Sequence, residues 1–149
     1  MGQKKNKFIF IKKKLINLFM LKGKKNTSEL ILKKLFKEMQ KESKKNLNYL
    51  IKSAIVNNMP VVYFKLLKKK RKKTQYKVIP FVLNKNYRII FALKSIIQTA
   101  KEKLTTSFYK NLKNEFIFST KNLGHTIKKK KDISVLVYNK KTFAHYRWF

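Results

Sequence analysis

One segment of this chain breaks its prevailing pattern and thereby sets the architecture. Over residues 8 to 58, and again over 85 to 118, apolar residues recur at three- and four-residue spacing, the period of an amphipathic helix. Between these regions, Val61-Val62-Tyr63-Phe64-Lys65-Leu66-Leu67 and Gln75-Tyr76-Lys77-Val78-Ile79-Pro80-Phe81-Val82-Leu83 are β-branched and aromatic, as suits a pleated strand. Lys68-Lys69-Lys70-Arg71-Lys72-Lys73-Thr74 separates the two runs. Two short strands joined by a seven-residue basic tip give a β-hairpin arm over about 61–83. Pro80 cannot donate to a ladder, so it puts its strand at an edge or makes a bulge there. An isolated hairpin is marginal in water, so the helices on either side must supply the core.

The first helical segment, Phe8 to Leu21, carries Ile11, Leu15, Leu18 and Phe19 on one face. It stops at the turn Lys22-Gly23-Lys24-Lys25, after which Asn26, Thr27 or Ser28 can cap a second helix with Ile31, Leu32, Leu35, Phe36 and Met39 as its stripe. A third helix shows Leu47, Leu50, Ile51, Ala54 and Ile55 and ends before Pro60. Beyond the hairpin, Lys85 to Lys103 forms a fourth helix with Ile90, Leu93, Ile97, Ala100 and Leu104 one turn apart. Thr105 to Phe118 forms a fifth, marked by Phe108, Leu112 and Phe116. Gly124 breaks the chain, and a last segment starts at His125. Its middle, Ile133 to Tyr138, is β-prone by propensity, yet Ile133, Leu136 and Val137 also fit a helical stripe, and we read it as helix six. The expected fold is mainly α: one domain over 1–149, six helices with a β-hairpin arm inserted after the third.

Charge limits the function. Of 149 residues, 39 are Lys or Arg and 6 are Asp or Glu, for a formal net charge of +33. A domain this positive repels itself, and a polyanion with dense fixed phosphates relieves that repulsion better than bulk counterions do. Cysteine is absent, and the two histidines, His125 and His145, have no acid cluster near them in sequence. No metal site, catalytic group or cofactor loop is therefore expected. Glu29, Glu38, Glu42, Glu102, Glu115 and Asp132 read as capping or surface-pairing residues among lysines. No apolar run approaches the roughly 20 residues that cross a membrane. Met1-Gly2-Gln3-Lys4-Lys5-Asn6 places Asn6 where a myristoylation signal needs Ser or Thr. No Arg- and Ser-rich leader is visible, so an organellar protein of this sequence would be made in its organelle. Lys, Asn, Ile and Phe are plentiful while Gly and Pro number 3 and 2; this is the codon signature of a very AT-rich genome.

Several motifs, in order along the chain, resemble one family. Thr142-Phe143-Ala144-His145-Tyr146-Arg147-Trp148 closely resembles the AFAHYRW ending of bacterial-type small-subunit ribosomal protein seven. Lys128-Lys129-Lys130-Lys131-Asp132 is similar to the family's basic-acidic lead-in to its last helix. Leu15 to Thr27 resembles its FVNILMVDGKKST turn, Asn58-Met59-Pro60 its NVRP entry to the hairpin, and Thr74 to Pro80 its STYQVP strand. Ala92-Leu93-Lys94, Ile96-Ile97 and Ala100-Lys101 track its AMRWIVEAARK helix. Terminal Trp148 resembles bacterial and mitochondrial members more than plastid ones. Departures also stand out. Lys72-Lys73 replace a Gly-Gly at the hairpin tip, Ser95 replaces a Trp, and Lys94 replaces an Arg, which removes bidentate phosphate geometry. The N-terminal arm is abbreviated.

The resemblance implies a structural constituent of the small ribosomal subunit that binds the 3′ major domain of its rRNA and organises the head. It also implies a position near the exit-site tRNA and the mRNA exit path, beside neighbouring small-subunit proteins, with no membrane partner, no metal and no cofactor. The implied compartment is the mitochondrion, with a plastid or the cytoplasm of an AT-rich symbiont as alternatives. The candidate RNA-binding residues are Lys22, Lys24 and Lys25 at the first turn; Lys65, Lys68, Lys69, Lys70, Arg71, Lys72 and Lys73 on the hairpin; Arg88 and Lys94 on helix four; Lys128, Lys129, Lys130 and Lys131 at helix six; and Lys140, Lys141, His145, Tyr146, Arg147 and Trp148 in the tail. Tyr63, Phe64 and Tyr76 either stack on bases or pack the hairpin against helices. A nucleoid-type DNA-packaging protein, equally basic and catalytically empty, is the alternative class.

Overall fold

In a computed structural model of the chain, the described residues are 2–43, 46–69, 72–103 and 107–146, with the backbone alone described over 2–8, at 69 and over 72–75. The elements are α1 (Gly2–Phe19), α2 (Lys25–Ser43), α3 (Leu47–Asn58), β1 (Val62–Lys69), β2 (Lys72–Val82), α4 (Lys85–Glu102), α5 (Phe108–Thr120), α6 (His125–Asn139) and a short 3-10 turn, η1 (Lys141–Phe143). Six helices with an antiparallel hairpin after the third is the architecture that the periodicity predicts.

Five helices share one core. Leu15 and Phe19 of α1, Leu32, Leu35 and Met39 of α2, Leu50, Ile51, Ala54 and Ile55 of α3, Leu93, Ile96, Ile97 and Ala100 of α4, and Leu112 and Phe116 of α5 are all buried in a single cluster. Phe108 joins it from the start of α5, its ring meeting Phe19 edge-on at 5.9 Å. Helix α6 stands outside that cluster. Its buried residues are Thr126, Ile127 and Val137, so of the expected stripe only Val137 is buried, while Ile133 is half-buried and Leu136 exposed. The β-prone run 133–138 is nonetheless helical, because neither hairpin strand pairs with it in the two-stranded sheet and a helix satisfies its own backbone.

Three helix starts differ from those expected, and α1 begins at Gly2, ahead of Phe8. Helix α2 begins at Lys25, so Asn26, Thr27 and Ser28 lie in its first turn and do not cap it. Thr27 Oγ1 and Ser28 Oγ instead donate back to the Lys24 carbonyl at 2.7 and 3.3 Å. Helix α5 begins at Phe108 after Ser107, whereas its expected start, Thr105, lies outside the described residues, as does Leu104. At α3, Asn46 is the N-cap and its side chain accepts from the Asn48 N–H at 3.1 Å, the usual satisfaction of an orphan donor.

The hairpin is longer than its apolar content suggested. Pairing runs in register from Val62 opposite Val82 to Lys68 opposite Tyr76, then shifts and ends with Lys69 opposite Lys72. The ladder thus invades the expected tip, since pairing is made by backbone groups and needs no apolar side chain. Pro80 sits opposite Phe64 with no shift at that point; in a two-stranded sheet both strands are edges, so its missing N–H costs no interior bond. At the root, Tyr63 stacks on Phe64 at 5.1 Å and meets Phe81 at 6.3 Å and Phe91 of α4 at 4.5 Å. Tyr63 therefore packs the arm onto α4, and the arm is rooted.

Gly124 joins α5 to α6 at φ +100°, where an added Cβ would lie 3.2 Å from Phe118 Cβ and 3.4 Å from Glu115 Oε2. Both the left-handed backbone and the crowding disfavour a side chain there. Gly124→Ala should therefore destabilise the protein by about 1–3 kcal/mol, read as a lowered denaturation midpoint at unchanged m-value.

Candidate nucleic-acid interface

The first cationic group is built by a turn. Lys22 and Gly23 both take left-handed backbone, φ 50° and 73°, which reverses the chain between α1 and α2 and leaves Lys22, Lys24 and Lys25 exposed. They surround the N-terminus of α2, whose first N–H groups and dipole favour an anion. Lys25 is lightly committed to Glu29, at 3.9 Å.

On the hairpin, Lys65 and Lys68 are exposed, and so is Tyr76. Lys70 and Arg71 lie outside the described residues, as do Arg147 and Trp148 of the tail, and of Lys69, Lys72 and Lys73 the backbone alone is described. On α4, Lys94 is exposed. Arg88 is half-buried, and its Nε donates to the Leu83 carbonyl at 2.8 Å, bracing the junction of hairpin and helix.

The basic run of α6 divides by helical geometry. Lys128 and Lys131 are exposed. Lys129 pairs with Glu102 of α4 at 2.5 Å, and the hydrogen bond from Lys129 holds the Glu102 carboxyl below its ordinary pKa. Lys130 turns inward. Its Nζ donates to the Asn57 carbonyl at the end of α3 at 2.6 Å, a place where the helix dipole favours a cation, and burial pushes its pKa down. In the tail, Lys140, Lys141, His145 and Tyr146 are exposed. Lys141 Nζ lies 4.9 Å from the Tyr138 ring centre, and Lys77 Nζ of β2 lies 4.1 Å from the Phe143 ring and 5.8 Å from that of Tyr146. These cation–π contacts seat the tail against the hairpin.

Acids do internal work. Glu38 and Glu42 of α2 reach Lys113 of α5 at 3.9 and 2.8 Å, and the bond to Glu42 holds Lys113 above its ordinary pKa. Glu115 departs furthest from expectation, because it is no surface residue. It is fully buried, with Lys103 Nζ at 2.5 Å on one oxygen and the Thr126 hydroxyl donating to the other at 2.9 Å. Thr126 also meets Thr99 at 2.9 Å, and Asn111 Nδ2 donates to the Lys103 carbonyl at 2.6 Å. This network joins α4, α5 and α6. A signal for it was present, since Glu115 falls on the Phe108–Leu112–Phe116 stripe, where an acid has no reason to stand unless it is paired. Every glutamate thus has a lysine partner within the chain, and the remaining acid, Asp132, is exposed on α6 among lysines.

Among the described residues, no group of three or more His, Cys, Asp or Glu could hold a metal ion, and no helix is long and apolar enough to cross a membrane.

Known proteins match this arrangement along most of its length. The family described as ribosomal protein S7p/S5e matches residues 2–136. Small ribosomal subunit protein uS7 of Pelotomaculum thermopropionicum is 31% identical over 135 residues, covering 91% of this chain and 85% of that protein. The uS7 of Blochmanniella pennsylvanica is likewise 31% identical over the same shares. Small ribosomal subunit protein uS7m of Reclinomonas americana is 30% identical, over 91% of this chain and 83% of its own length. The family match ends at residue 136, ahead of the Phe143-to-Trp148 ending, so helices and hairpin carry it without the tail.

Proposed function

The chain belongs to the ribosomal protein S7p/S5e family, and from that premise we propose that it is a non-catalytic constituent of the small ribosomal subunit that binds the 3′ major domain of the rRNA and organises the head. The observation that carries this reading is the division of charge: glutamates are consumed in intramolecular pairs, while lysines at the first turn, the hairpin, α6 and the tail stay exposed. Such a surface binds by neutralising phosphates and fitting RNA shape around a rigid body. We place the hairpin arm toward the exit-site tRNA and the mRNA exit path, and neighbouring small-subunit proteins beside it. The mitochondrion is the compartment that the AT-rich codon signature and the likeness to a uS7m protein support; sequencing the surrounding genome tests this directly.

The binding reading is tested by competition. A fragment of the 3′ major domain should displace duplex DNA of equal charge from the protein at fixed salt, with at least a tenfold preference. Equal affinity for both would favour a DNA-packaging protein instead.

Within α6 we assign phosphate contact to Lys128 and Lys131, and helix anchoring to Lys130. Lys128→Gln and Lys131→Gln should each make the slope of log affinity against log salt shallower by about 0.7–0.9. Lys130→Gln should leave that slope unchanged, which filter binding across a salt series will show.

A further inference from the structure

A cleft of about 330 Å³ opens between the hairpin and the tail, lined by Tyr76, Lys77, Val78, Lys140 and Phe143. Its volume lies at the small end of the range of ligand sites, roughly 300–1,000 Å³, too small for a helix of RNA or protein and suited to one planar group. Three consecutive residues of β2 line it, so it follows the outer edge of that strand. Among the described residues no further strand takes up the backbone N–H and C=O groups of that edge. Tyr76, Val78 and Phe143 make the lining largely apolar, and Lys77 and Lys140 add cations to it. Lys77 Nζ rests 4.1 Å from the centre of the Phe143 ring, a position a phosphate could draw it from while freeing that ring face.

A largely apolar lining with two aromatic side chains, the open edge of a strand and two lysines matches one ligand chemistry. We infer that this cleft takes a single unstacked nucleotide of RNA, its base against Tyr76 and Phe143 and its phosphate between Lys77 and Lys140. The inference rests on the RNA-binding reading above and deepens it: the tail and the hairpin together form a site that neither makes alone. Residues Phe143 and Tyr76 then confer a preference for bulged or looped RNA over continuous helix, because only an unpaired base can leave its stack and enter.

The test uses the full chain and three RNA stems: one with a single bulged 2-aminopurine, one with an abasic site at that bulge, and one fully paired. The bulged stem should bind at least about fivefold more tightly than the abasic one, the lower end of what stacking one base on an aromatic side chain contributes, and its fluorescence should be quenched on binding. Phe143→Leu should abolish the preference and the quenching while its helical circular dichroism stays that of the wild type; Tyr76→Ala, on a different element, should reduce both. Lys140→Gln should weaken the bulged and abasic stems equally and flatten their salt dependence. If the wild type binds all three stems with equal affinity, or if Phe143→Leu keeps the preference, the cleft is not a nucleotide site and is open to a protein side chain instead. If no stem binds at all, the RNA reading itself fails, and the cleft with it.

Discussion

Replacing Glu115 by Ala is expected to cost about 2–3 kcal/mol of stability. The carboxylate is wholly buried and serves Lys103 and Thr126 together. Breaking a buried pair by removing one member typically costs about 3–5 kcal/mol, because the other charge is left uncompensated. Lys103 keeps about a third of its side chain exposed, so its ammonium can turn to water, and the lower figure follows. The Thr126 hydroxyl keeps its contact with Thr99, which limits the loss at the α6 end. For a chain of this length the change lowers the melting midpoint by roughly 5–10 °C. Glu102→Gln, at a half-exposed pair that solvent screens, should cost far less. Thermal denaturation of the two variants at one salt concentration distinguishes them. Equal, small effects would show that the Glu115 network does not hold α6.

That network also marks where reading the sequence stopped short. Helices α1 to α5 were legible because each buries a stripe at helical spacing: Leu32, Leu35 and Met39 in α2, or Leu93, Ile97 and Ala100 in α4, are both the pattern and the core. Helix α6 buries little apolar surface and docks through Thr126 and Lys130; such contacts have no period. The hairpin was legible in its root, where Tyr63 and Ile79 fit a strand, and not in its length, because a run of lysines looks the same paired or unpaired. Among the candidate site residues, composition could identify cations but not their direction. Lys128 and Lys130 are alike in sequence, yet two residues on a helix differ by about 200°, which turns one outward and the other onto Asn57.

Changing Lys69, Lys70, Arg71 and Lys72 together to Ala should have the largest effect on binding. If all four neutralise phosphates, the salt slope becomes shallower by about 3, and affinity at 0.1 M salt falls on the order of a thousandfold. The deficit should shrink as salt rises, because counterion release and not shape supplies it. The fold should remain, since the buried cluster is built by α1 to α5; the bound domain should melt lower only through lost binding. An unchanged slope with intact circular dichroism would make the arm a protein-binding element.

The central claim, that this chain is a working part of the small ribosomal subunit, is tested most directly in the cell that makes it. Small subunits purified through a high-salt sucrose gradient should contain the protein at one copy per subunit, counted by quantitative mass spectrometry against known small-subunit proteins. Recovery of the protein at the top of the gradient, or with DNA and absent from washed subunits, would contradict the account.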